Sequence, residues 1–164
     1  MLGAAAMPRR SLRPAEQLVA DDVFQGTVPY SRVRVTDSLG LHNRPYTLVM
    51  SGGDEGEDLW HLNVGPLFQG MQTTPDGQRT LVHELTHVWQ SAHGISSAAY
   101  MFNSVWHQVV DDDAYNYTPG KSWTDYNVEQ QAHIVEDWFA RGKKVDDPNF
   151  RYIRDNIRTA QKLK

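Results

Sequence analysis

Two histidines four residues apart, with a glutamate directly after the first, constrain this chain more than anything else in it. They stand in Leu81-Val82-His83-Glu84-Leu85-Thr86-His87-Val88-Trp89-Gln90, an H-E-x-x-H pattern inside an apolar run. On a helix, positions i and i+4 lie about 40° apart around the axis and one turn apart along it, so both imidazoles reach a single ion. Glu84 is badly placed for a third ligand but well placed to take a proton from water at that ion, the general-base role. Leu81, Val82, Leu85, Val88, Trp89 and Ala92 cover most of the circumference, which predicts a buried helix from about Gln78 to His93 with Gly94 as its stop. Burying two imidazoles and a carboxylate without partners costs several kcal/mol, and a bound zinc removes that cost. The competing reading is a pair of core histidines held by hydrogen bonds, with Glu84 pairing one of them.

The chain has no cysteine, so any zinc must be held by His, Asp or Glu. At 164 residues with 40% hydrophobic and 22% charged side chains, one globular domain with one core is expected. A net charge of −4 gives no overall basic footprint for nucleic acid. No apolar run approaches the roughly 20 residues of a membrane span, and Met1 to Arg10 has its small apolar residues ahead of its arginines, the reverse of a secretory signal peptide.

The fold class expected is α+β: a small N-terminal sheet packed on the buried H-E-x-x-H helix, followed by further helices. Residues 1–13 read as a flexible basic lead-in and 14–164 as the domain. Pro14 opens a helix to about Phe24 with Ala15, Leu18, Val19 and Val23 inward. Three extended segments follow at 33–35, 46–50 and 59–64; the polar loop between the last two lacks calcium-loop spacing and reads as a solvated tip. Residues 96–110 read as a helix carrying His107, and 111–120 as a loop whose Tyr115 and Tyr117 are potential cleft residues. Ser122 to Asp125 resembles a helix start, with a helix to about Arg141 that turns Val128, Ala132, Val135, Trp138 and Phe139 inward. Asp147-Pro148 starts a last helix with Phe150, Ile153, Ile157 and Ala160 inside and its basic residues in solvent.

A catalytic zinc takes three protein ligands, so one more is required. His93 has the spacing of the metzincin third histidine, but Gln90 stands where that pattern needs a sharply turning residue, and a continuous helix would carry His93 away from the ion. Glu129 and Glu136 lie on the next long helix, where gluzincins place their third ligand. Glu129 is preferred because Ala132 lets two helices approach and His133 is available as an outer-shell partner.

The segments HELTHVWQ (His83–Gln90), YNVEQQAHIVEDWF (Tyr126–Phe139) and FQGTVPY (Phe24–Tyr30) together resemble the zinc-metallopeptidase effector domains at the C-termini of VgrG spike and Rhs proteins of type VI secretion systems. The similarity covers most of residues 20–141, and its specificity comes from the glutamate segment at its distance downstream, since H-E-x-x-H alone is shared by many zincins. The resemblance implies a zincin-like fold, zinc at His83, His87 and Glu129, Glu84 as base, and a toxin delivered into rival cells, with the periplasm as its site of action. It also implies a protein or peptide substrate, a cognate immunity protein and a secretion spike as partners. No spike or repeat region is present in these 164 residues.

The expected chemistry is hydrolysis of an amide bond, with Glu84 carrying the water's proton to the leaving nitrogen. Tyr117, Tyr126, His107 and His133 are candidates to steady the oxyanion. Two other readings compete: a binding domain whose zinc is closed by a fourth protein ligand such as His133 or Asp137, and an intracellular regulatory peptidase.

Overall fold

The computed structural model describes residues 7–51, 56–95 and 115–163. The elements are β1 (Arg9–Ser11), α1 (Pro14–Phe24), β2 (Val33–Thr36), β3 (Tyr46–Met50), β4 (Leu59–Asn63), α2 (Pro75–Ala92), α3 (Val128–Ala140) and the short α4 (Phe150–Tyr152), which widens into a π-turn over Ile153–Ile157. Short 3-10 turns connect several of them. The class is α+β, as expected.

The strands form one mixed sheet in the order β1-β2-β4-β3, with β2 and β4 parallel and both outer pairs antiparallel. Leu62 of β4 stands opposite Val35 of β2 and Thr47 of β3. Alternation along β2 and β4 sends Val33, Val35 and Leu62 into a core shared with Ala20, Val23 and Phe24 of α1 and Leu81, Leu85 and Val88 of α2, all fully buried. Truncating any of these leucines to alanine costs about 2–5 kcal/mol.

Helix α2 begins where side-chain chemistry dictates. Thr74 caps it by accepting from the Gly77 N–H at 3.0 Å, with Pro75 in the first turn. Gly77 is required by a close approach, since a Cβ there would stand 2.5 Å from the Met71 carbonyl oxygen. Gly94, at φ 77°, ends the helix in the left-handed region, and the Ile95 N–H returns to the Gln90 carbonyl. Helix α3 lies against α2, and fully buried Ala132 stands on it.

Three expectations need correction. Arg9–Ser11 belong to the sheet as its edge strand rather than to a loose lead-in. Arg10 grips fully buried Glu16 with Nη1 and Nη2, each at 2.8 Å, and the same carboxylate accepts from the Arg13 and Met71 N–H groups. A buried acid needs such partners, and their supply ties the segment down. Leu18 is 69% exposed and Ala15 is exposed too, because α1 turns Glu16, Ala20 and Phe24 inward together with the expected Val23. Helix α3 starts at Val128, later than read: Ser122 precedes only a 3-10 turn, whereas Asn127 and Gln130 exchange a reciprocal capping pair. The helix read at 96–110, the aspartates at 111–113 and most of the polar tip at 52–55 lie outside the described residues.

Candidate metal centre

The cap at Asn127 decides the position of the downstream acid, because it puts Glu129 in the first turn of α3, where the helix dipole favours a negative charge. Spacings of four and three then set Glu129, His133 and Glu136 on one face. Helices α2 and α3 run antiparallel at this contact. Arg79 meets Glu136, His83 lies between Glu136 and Glu129, His87 meets Glu129, and Gln90 meets Gln131.

Three acceptor atoms converge at the centre. His83 Nε2 and His87 Nε2 are 3.2 Å apart, and Glu129 Oε2 lies 3.3 Å from the first and 3.4 Å from the second. Neighbours decide which ring nitrogens carry hydrogen. Glu136 Oε2 stands 3.0 Å from His83 Nδ1, so that nitrogen donates. On His87, Nδ1 faces Gln90 Oε1 at 2.9 Å. The Gln90 amide cannot be turned the other way, because its Nε2 must serve the Val128 carbonyl and Gln131 Oε1, both at 2.9 Å. Gln131 is fixed in turn by donating to the Trp123 carbonyl. When both rings are neutral, their Nε2 atoms therefore present lone pairs to each other and to a carboxylate oxygen. Three such acceptors repel unless a proton or a metal ion lies among them.

Their spacing matches what a metal requires. A tetrahedral ion with bonds of about 2.0–2.1 Å separates its ligand atoms by about 3.3–3.4 Å. The donor set of two imidazoles and one carboxylate, with no sulfur, is one that zinc accepts. Electrostatics agree with a demand for positive charge. Burial would lower the His83 pKa, but Glu129 and Glu136 outweigh it and hold the ring well above the usual histidine value. For Glu129 burial works upward, yet His87 and His83 hold it well below the usual carboxylate range. Burial also opposes ionisation of Glu136, but His83 pushes its pKa down to about 2.

Glu84 is 4% exposed on the same helix. Its Oε2 accepts from the buried Thr47 hydroxyl at 2.7 Å, across from β3, while Oε1 has no hydrogen-bond partner among the described residues. Glu84 lines a pocket of about 390 Å³ together with Arg44, Pro45, Thr80, His83, Tyr115, His133 and Glu136. A second grouping of potential ligands, His83, His133 and Glu136, shares His83 with the first. Within it, His83 Nδ1 is already committed to Glu136.

The expected residues therefore divide. His83, His87 and Glu129 come together, with Glu84 beside them. Glu136, weighed as an alternative ligand, instead orients His83 from outside, and Arg79 Nε and Nη2 anchor it at 3.1 and 2.7 Å. His93 is excluded from the cluster, since its Nε2 bonds the Thr27 carbonyl at 2.8 Å beyond the end of α2. Tyr117 donates to Asp137 and accepts from Asn149, and Tyr126 donates to the Thr118 carbonyl beside Tyr152. Neither lines the pocket, whereas His133 does and Tyr115 takes the tyrosine's place there. Asp137, held by Tyr117 and Arg141, is in neither grouping of potential ligands. His107 lies outside the described residues. Thr47, Arg79, Gln90 and Gln131 were not anticipated. Arg79 and Gln90 stand four before His83 and three after His87 and were findable from helical spacing, but nothing local marks Thr47.

Among the described residues, no helix is long and apolar enough to cross a membrane. No family model matches the chain. It is 31% identical over 145 residues to the type VI secretion system spike protein VgrG2b of Pseudomonas aeruginosa, a match that spans 84% of this chain but only 13% of the length of that protein. Among solved structures it is similar to the effector domain of Pseudomonas aeruginosa VgrG2b, with a TM-score of 0.57 and 30% identity over 93% of this chain and 87% of that one. That domain-length match in both sequence and shape means that the chain belongs to the family of VgrG2b effector domains.

Proposed function

We propose that the domain is a zinc-dependent peptidase with a zincin-like, gluzincin-type site, acting as an effector carried by a type VI spike. The observation that carries the reading is the convergence of His83 Nε2, His87 Nε2 and Glu129 Oε2 within 3.2–3.4 Å beside a buried glutamate. A zinc ion held by those three side chains would polarise a peptide carbonyl and make water more acidic. Glu84 takes the proton of the attacking water through Oε1, the oxygen that Thr47 leaves free. As the C–N bond breaks, Glu84 returns that proton to the departing nitrogen, which leaves an amine and a carboxylate. His133 and Tyr115 border the pocket and are the groups placed to donate to the carbonyl oxygen as charge gathers there.

As an effector the domain would be secreted with a spike and act in a target cell. The periplasm is the proposed site of action, and the producer would need a cognate immunity protein. The test combines elemental analysis of protein purified without chelator with hydrolysis of a broad peptide library. One zinc per chain is expected, with turnover that disappears in Glu84→Ala while the metal remains. An active Glu84→Ala protein, or an active metal-free one, would remove the mechanism. Export of the domain to the periplasm of a test bacterium should be toxic, and cytoplasmic expression should not.

A further inference from the structure

The pocket carries acid on its floor and a guanidinium on its rim. Glu84 is buried and Glu136 partly so, whereas Arg44 is exposed and lines the same cavity. Among the described residues Arg44 has no carboxylate partner. Its one polar side-chain contact runs from Nη1 to the Tyr115 hydroxyl at 3.5 Å, longer than a firm hydrogen bond, with Cζ 5.9 Å from the Tyr115 ring centroid. Arg79, by contrast, has Nε and Nη2 committed to Glu136. Most of the five N–H donors of Arg44 therefore have no partner among the described residues.

The backbone that launches this side chain is held firmly. The Arg44 carbonyl accepts from the Gly40 N–H at 2.9 Å, and Pro45 restricts Arg44 to the extended region it occupies, φ −92° and ψ 141°. Three residues on, Thr47 grips Glu84. One short segment thus sets both the proton-accepting carboxylate and the rim cation.

We infer that Arg44 anchors a carboxylate of the substrate, so that the site selects acidic peptides. The inference rests on the peptidase reading and names the substrate class of that site. A planar guanidinium with free paired donors matches a carboxylate in two-pronged fashion. Repulsion from Glu84 and Glu136 keeps such a group off the floor and leaves the rim as its place. The carboxylate belongs either to an aspartate or glutamate side chain or to the peptide's own C-terminus, and the two are separable by experiment.

Three alanine-based pentapeptides serve as probes: a central glutamate with both ends blocked, a central glutamine with both ends blocked, and a central glutamine with a free C-terminal carboxylate. Calorimetric titration uses the zinc-loaded Glu84→Gln protein with and without Arg44→Gln, and with Arg44→Lys. At least one acidic probe should bind about tenfold or more tightly than the neutral one. That preference should fall to about twofold or less in Arg44→Gln and survive in part in Arg44→Lys, and the probe that shows it identifies the carboxylate's source. Equal binding of all three probes, a preference that persists in Arg44→Gln, or no measurable binding at millimolar concentration overturns the inference. Cleavage is scored separately on the wild-type protein. Turnover without an Arg44-dependent preference leaves the peptidase reading standing, and an Arg44-dependent preference without turnover removes only that reading.

Discussion

Glu136 Oε2 lies 3.0 Å from Nδ1 of His83, while its other oxygen takes two bonds from Arg79, so that an acid on α3 decides which nitrogen of a histidine on α2 is left bare. This is the outer-shell arrangement that fixes tautomer and ring orientation at metal sites. Glu136→Gln should lower zinc affinity about 10–100-fold without abolishing it, as measured by competition with a chromogenic chelator. Arg79→Ala should lower it less, because Arg79 bonds Glu136 rather than the His83 ring itself. A Glu136→Gln protein that binds zinc as tightly as wild type would show that His83 needs no such partner.

Thr47 offers a way to separate holding a base from being one. Its hydroxyl bonds Glu84 at 2.7 Å in a buried setting. Thr47→Val keeps the shape of the side chain and removes that bond, which contributes about 1.5–3 kcal/mol when the acceptor is charged. Turnover should fall about 10–100-fold with KM little changed and metal content intact. Glu84→Gln should fall further, by about 10²–10⁴-fold. Steady-state kinetics on a common peptide, alongside elemental analysis, checks both.

The two histidines competing for the ligand set can be told apart by metal counting. His87→Ala should lose tight zinc binding, because it removes one of the three converging atoms. His93→Ala should keep one zinc per chain, since that ring bonds the Thr27 carbonyl instead. Chelation of the wild-type protein should lower its Tm, as expected of any ligand that binds only the folded chain, and added zinc should restore it. A His93→Ala protein that loses its zinc would reinstate the metzincin-like alternative.

Acid should expose the Arg10–Glu16 tie. Burial alone would raise the Glu16 pKa, but the Arg10 guanidinium and the N–H groups of Arg13 and Met71 outweigh it and hold it below the usual value. A carboxyl depressed in the folded state contributes stability that is fully present above its unfolded pKa, about 4.3, and is lost as pH falls through the folded value. The wild-type Tm should therefore drop below about pH 4.3 with a component missing from Glu16→Gln. At pH 7 that variant should be destabilised by about 3 kcal/mol, roughly 6–12 °C in Tm, because it leaves Arg10 without its counter-charge. Thermal denaturation from pH 3 to 7 checks both statements.

Helix α2 from Gln78 onward, its buried face and the pairing of His83, Glu84 and His87 on it were legible in the sequence, because a period of 3.6 and a local motif lie within one stretch of chain; its first turn at Pro75 was not. The strands read at 33–35, 46–50 and 59–64 end within one residue of the observed ones, and the stop at Gly94 was legible for the same local reason. The edge strand at Arg9–Ser11 was not, since three polar and charged residues take on strand structure only when β2 is there to pair with them and Glu16 is there to hold Arg10. Preference for Glu129 over Glu136 rested on Ala132 and on His133 as an outer-shell partner, but the two roles were separated by the antiparallel contact of α2 with α3, which gives each acid a different nitrogen of the same ring. Thr47 on Glu84, Tyr115 in place of Tyr117 and Arg44 on the rim depend on segments 37 or more residues apart in sequence meeting in space. Helical periodicity and capping act within a few residues, and so they can be read along the chain. Which hydrogen-bond donor meets which acceptor across elements is decided by packing, and packing exists only in the folded molecule.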